Sequence, residues 1–106
     1  MKEATIQARI LMALSDAGCL VWRQDTGAYR APSGALVRYG LCVGSSDIIG
    51  LAPDGTFLAV EVKTDTGRAT EAQRRFIAAV QAKGGRAGIA RSADEAVAIA
   101  LGQPAP

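Results

Sequence analysis

Glu61 and Lys63 stand two residues apart in the stretch 56–63, TFLAVEVK, and Asp47 opens a second apolar stretch, DIIGL, a short way upstream. Successive side chains of an extended strand point to opposite faces. Leu58, Val60 and Val62 therefore share one face and Ala59, Glu61 and Lys63 the other, an apolar face and a charged face on one strand. The intervening APDG carries Pro and Asp-Gly turn chemistry, which predicts a hairpin of the two stretches and brings Asp47 close to Glu61. Two carboxylates held close repel, and a hard divalent cation relieves this by taking oxygen ligands from both while keeping several waters. Mg²⁺ suits such an all-oxygen site, with Mn²⁺ as a substitute. The ion would acidify a water and neutralise phosphoryl charge, and Lys63 would orient that water or stabilise a pentacoordinate transition state. The set is the minimal kit for phosphodiester hydrolysis. E-x-K alone is weak evidence, since such triplets arise by chance; a solvated strand face with Asp47 as a turn residue is the plain alternative.

The rest of the composition narrows the chemistry. There is no histidine, which excludes histidine metal sites, Ser-His-Asp and Cys-His hydrolysis, and leaves carboxylates and lysine. Cys19 and Cys42 are isolated in sequence, so buried free thiols are expected, not zinc ligands. The net charge of +2 is small. Between Arg23 and Arg91, however, ten basic residues face six acidic ones, two of which are the proposed metal ligands, leaving a cationic surface suited to a polyanion. No stretch approaches the roughly 20 apolar residues of a membrane span, and the first 17 residues are amphipathic and not signal-like, so a soluble, cytoplasmic protein is expected. Nothing in the chain points to a nucleotide cofactor.

The elements that must position these residues follow from periodicity. Ile6, Ile10, Leu11, Ala13, Leu14 and Ala17 form one stripe of a helix over 2–17, stopped by Gly18. CLVW (19–22) reads as a strand, with Trp22 in the core. From Asp25 to Gly44 glycine, serine and arginine prevail, with ALVRY (35–39) as an optional short strand. Thr70 and Gln73 make a capping box for a helix reaching about Lys83, with Phe76, Ile77 and Val80 on one face. RAGIA (86–90) is a further strand. Ser92 and Glu95 form a second capping box ahead of a helix carrying Val97, Ile99 and Leu101, and the tail at 103–106 is expected to fray. The order is αβ(β)ββαβα, which a mixed β-sheet flanked by helices accommodates as one α/β domain over 1–106.

Several spaced motifs together resemble a known family. GSSDIIG (44–50), DGTFLAVEVK (54–63), TGRATEAQRRF (66–76) and KGGRAGIARSADEA (83–96), with KEATIQ (2–7) and VWRQDTGAYR (21–30), resemble the VRR-NUC branch of the PD-(D/E)XK nucleases, in the stand-alone form carried by phages and bacteria. The resemblance implies a restriction-endonuclease-like core. It makes Asp47 and Glu61 metal ligands, with the Val62 carbonyl completing the protein's share, and Lys63 the catalytic lysine. It gives Glu3 the role of a first-helix acid reaching the ion's water shell, with Gln7 as the alternative match. Gln73 would border the site, although its capping role competes. Ser46 replaces the proline of the superfamily's name, a residue that shapes the chain and ligates nothing.

The resemblance further implies an endonuclease for DNA, with a DNA-repair preference for branched forms such as four-way (Holliday) junctions. One site cuts one strand, so symmetric cutting of a junction calls for a homodimer. Arg68, Arg74 and Arg75 beside the second helix, and Arg23, Arg30 and Arg38 in or near the long loop, are the candidate phosphate contacts; Trp22 and Tyr39 could stack on bases. Two rival readings stay open: a catalytically idle nucleic-acid-binding module of the same fold, and an unrelated small α/β interaction domain.

Overall fold

Helix α1 (Glu3–Asp16) forms where the apolar stripe places Ile6, Ile10 and Leu14 on one buried side, and it ends at Gly18, whose φ of 95° is open to glycine and strained for other residues. The protein, described over residues 1–104 and 106 by a computed structural model, continues with β1 (Leu20–Arg23), β2 (Gly27–Arg30), β3 (Leu36–Tyr39), β4 (Ile48–Leu51) and β5 (Phe57–Val62). Helix α2 (Glu71–Ala82), β6 (Arg86–Ala90) and α3 (Ala93–Ala100) complete it. The segment Asp25 to Gly44 holds two strands, not one optional strand: β2 and β3 pair with each other and stay outside the main sheet.

The main sheet runs β1-β4-β5-β6. β4 and β5 are the expected antiparallel hairpin, pairing Ile48 with Val60 and Leu51 with Phe57. Its turn is closed by the Asp54 carboxylate, which accepts from the Thr56 N–H and from the Arg86 guanidinium at the head of β6. The Thr56 bond first, and then Arg86, lower the Asp54 pKa to about 2. β6 joins β5 in parallel through the α2 crossover.

Both faces of the sheet are buried along its middle, in β4 and β5. Leu58, Val60 and Val62 pack with Ile10, Leu14 and Ile48 beneath α1 and α3; Ala59 packs with Ile49, Ile77 and Ala87 beneath α2. Each large aliphatic side chain so buried contributes about 1.5–3 kcal/mol. The abundant alanine lets α3 approach closely, through Ala96, Ala98 and Ala100. Of the apolar residues that α3 carries, Val97 and Ile99 pack at the rim of this core, and Leu101 is exposed as the C-cap residue.

Other expectations are corrected. Trp22 is not in the core but 48% exposed: β1 is an edge strand, and α2 packs on β5 and β6 without reaching it. Cys19 is buried, but Cys42 is exposed; both are free. Ser92 caps α3, yet the Glu95 carboxylate accepts from the Arg91 N–H and not from Ser92, so the second capping box is only half made. Past α3 the Gln103 N–H donates to the Ala98 carbonyl, and Ala105, in the tail expected to fray, lies outside the described residues. Among the described residues no helix is long and apolar enough to cross a membrane.

Candidate active site

The antiparallel register of β4 and β5, carried one step past Ile48 and Val60, puts Asp47 opposite Glu61 on the α2 side of the sheet. At Asp47 the ladder stops and the side chain takes over: its Oδ2 accepts from the Val62 N–H at 2.9 Å. Backbone N–H and C=O of one strand residue point the same way, so the Val62 carbonyl leaves β5 on the Asp47 side. On the other edge, the Asp47 carbonyl accepts from the Gln24 N–H at 2.6 Å, fixing the residue between β1 and β5.

Glu61 is 1% exposed, which counts against the plain alternative of a solvated strand face. Ala59 on the same face is sealed under α2, and the polar part begins only where the helix ends its cover. Burial raises the Glu61 pKa, the neighbouring Asp47 carboxylate raises it further, and Lys63 opposes both; the result is about 7. Lys63 Nζ lies 3.4 Å from Glu61 Oε2, while Glu61 Oε1 is buried with no hydrogen-bond partner. An ordinary core avoids such an acceptor, because an unmatched buried polar atom costs about 1–3 kcal/mol.

Two facing carboxylates, an orphaned oxygen and a carbonyl on the same side are a donor set for a hard divalent cation. Among the described residues no group of three or more His, Cys, Asp or Glu side chains converges. A cation here would thus take two carboxylates and a carbonyl from the chain and the rest from water or substrate, the arrangement Mg²⁺ favours over a closed cage.

The remaining candidates lie at graded distances. Asp47 borders a cleft of about 600 Å³ between the N-terminus of α2 and the foot of the β2–β3 ribbon, and Gln73, Thr70, Arg38 and Tyr39 line it. Gln73 performs its capping role, its Oε1 accepting from the Thr70 N–H at 2.8 Å, while the residue still faces the cleft. Glu3 is exposed and makes no hydrogen bond or ion pair among the described residues; Gln7 is half-buried. Helix α1 packs on the opposite face of the sheet, but it begins at the site's end, where Met1 and Ile6 meet Thr64, Asp65 and Thr66.

The arginines divide similarly. Arg68 is exposed in the loop before α2. Arg74 donates to the Ala69 carbonyl at 2.6 Å, and Arg75 is paired with Glu71. Arg23 is opposite Ile48 and so faces away from Glu61, within 3.9 Å of Asp25. Arg91 escaped the sequence reading: its guanidinium donates to the carbonyls of Thr64 and Gly67 and pins the loop that follows Lys63. Its position just past β6, beside the end of β5, was the available signal.

The VRR-NUC domain family model matches residues 1–94 of the 106. Comparison with curated proteins returns no match. With its α/β mixed sheet and three helices, the chain belongs to the VRR-NUC family, a PD-(D/E)XK-like nuclease domain that acts on DNA.

Proposed function

We propose that the chain is a magnesium-dependent DNA endonuclease, with manganese as a substitute, that hydrolyses phosphodiester bonds of branched DNA such as four-way junctions and works as a homodimer. The observation that carries this reading is the opposition of Asp47 and Glu61 with the buried, unpartnered Oε1 of Glu61. Asp47, Glu61 and the Val62 carbonyl would hold the cation. When bound, the ion supplies Lewis acidity to the scissile phosphate and to the attacking water. Lys63, 3.4 Å from Glu61, presents its ammonium to the attacking water or a phosphoryl oxygen. Arg91 holds the Lys63 loop in place, and Arg38, Gln73 and Arg68 border the approach of the DNA backbone. Support for a second copy comes from an apolar row that runs from the edge strand β1 across β4 to the first residue of β5: Leu20, Leu51 and Phe57 are cross-strand neighbours, and all are exposed, as is Trp22.

The test compares wild type with Asp47→Ala and Lys63→Ala on linear, flapped and four-way DNA in magnesium. Cutting by wild type and at least ~10³-fold slower cutting by both variants is expected. Equal cutting by all three proteins rejects the assignment. DNA binding without cutting in any divalent ion would instead identify an idle binding module. Sedimentation of the free protein, expected at twice the chain mass, tests the homodimer.

A further inference from the structure

The β2–β3 ribbon has no structural explanation inside the fold. Its strands pair with each other, and no helix or other strand packs closely on them. A lone two-stranded ribbon is marginal in water, yet this one spends aromatic residues on open surface: Tyr29 is 56% exposed and Tyr39 51%. The register pairs Gly27 with Tyr39 and Tyr29 with Val37, so both tyrosines stand on one face, with ring centroids 6.5 Å apart. Ala28 is opposite Arg38 and Arg30 opposite Leu36, which sets both arginines on the other face.

Local details hold this arrangement in place. A Cβ on Gly27 would come within 2.4 Å of the Tyr39 hydroxyl and 2.7 Å of its ring, so the phenol lies in the space that glycine leaves. At the foot, Gly40 (φ 87°) approaches the Asp25 carbonyl too closely for any side chain, and Thr26 and Ser45 hydroxyls meet at 2.7 Å. Arg38 and Tyr39 there line the cleft that Asp47 borders. From Thr26 to Ser46 the chain has no acidic residue and two arginines.

We infer that the ribbon is a DNA-gripping arm, in which Tyr29 and Tyr39 form a stacking platform for bases of an unpaired strand while Arg30 and Arg38 engage phosphates, guiding that strand into the cleft at Asp47. The inference rests on the nuclease reading and names the structural element by which the enzyme takes single-stranded or branched DNA. Charge decides the occupant: an acid-free, arginine-bearing arm continuous with the cleft complements a polyanion. Exposed aromatic rings give sequence-tolerant stacking on bases. A duplex offers no unstacked base, so the platform acts on substrates with frayed or single-stranded arms.

Binding of a fluorescent single-stranded oligonucleotide and of a duplex, followed by anisotropy in chelator, tests the arm without the metal. The double variant Tyr29→Ala/Tyr39→Ala is expected to bind the single strand ~10- to 100-fold more weakly, with a smaller loss of duplex binding. Tyr29→Phe/Tyr39→Phe keeps the rings and serves as the fold control, with wild-type affinity. Arg30→Ala and Arg38→Ala each reduce the salt dependence of log Kd by about 1. Single-strand binding by the double alanine variant within threefold of wild type overturns the arm, as does a loss of dimer with DNA binding unchanged, which would make the ribbon a protein contact. If wild type cuts DNA in magnesium while the alanine variant binds normally, the arm alone fails. If wild type neither binds nor cuts, the nuclease reading fails with it.

Discussion

The two places proposed to meet DNA are built in opposite ways. Glu61 lies in the second strand from the sheet's edge, 1% exposed between Asp47 and Lys63, and its position is set by the register of three strands. Tyr29 and Tyr39 stand on a ribbon that packs on little besides itself. Buried geometry gives a carboxylate pair the fixed separation and low polarity that sharing a cation requires. An exposed ribbon gives reach and tolerance for strands of differing path. On the proposed reading chemistry and substrate choice are separable, and substitutions in the two regions should divide along that line.

The largest effect expected is on cutting. Lys63→Ala lowers the cleavage rate on linear duplex by ~10³-fold or more, whereas Tyr29→Ala/Tyr39→Ala changes it by less than about threefold; single-turnover kinetics on one duplex reads both. A collapse of duplex cutting in the ribbon variant would end the separation. Next comes a stability effect confined to the sheet: Gly50, in β4, would place a Cβ 1.9 Å from the Leu20 carbonyl, so Gly50→Ala forces β1 off the sheet. A loss of about 2–4 kcal/mol in urea unfolding is expected, and none beyond about 0.5 kcal/mol for Tyr29→Ala.

A third, smaller effect follows from Glu61. Its folded pKa of about 7 lies above the ordinary 4.5, so the folded protein binds this proton more tightly than the unfolded chain. The resulting stabilisation is complete below about pH 4.5 and is lost as pH rises to about 7. Metal-free thermal midpoints should therefore fall across that window, and magnesium should restore more stability at pH 8 than at pH 5 if, as proposed, the cation binds the ionised pair. Glu61→Gln removes the ionisation, which flattens the slope and stabilises the metal-free protein at pH 8 by about 1–3 kcal/mol. Equal slopes in the two proteins would contradict the account. Smallest is Gly55→Ala, which meets no atom within 4 Å but has φ 87°, at a cost of about 1 kcal/mol.

Legibility in the sequence followed how local the determinant was. The Thr70–Gln73 capping box, the APDG turn and the alternation of TFLAVEVK each lie within a few residues, and they foretold α2, the β4–β5 hairpin and the convergence of Asp47 with Glu61. What escaped depended on distant parts of the chain. GAYR is too short and too polar to announce β2 before its pairing with LVRY is known. Trp22 reads as core until β1 proves to be an edge beyond the reach of α2. The burial of Glu61 is not written in its neighbours along the chain, and Arg91 acquires a role only when β6 ends beside the loop after Lys63. The Ser92–Glu95 pattern foretold the cap but not its reciprocal bond, since the Glu95 carboxylate accepts from the Arg91 N–H instead.

Calorimetric titration of the purified chain with manganese at pH 8 measures the cation-sharing pair most directly. Saturable binding by wild type that disappears in both Asp47→Ala and Glu61→Ala is the predicted result. Wild-type binding that survives unchanged in either variant would show that these two carboxylates do not share an ion.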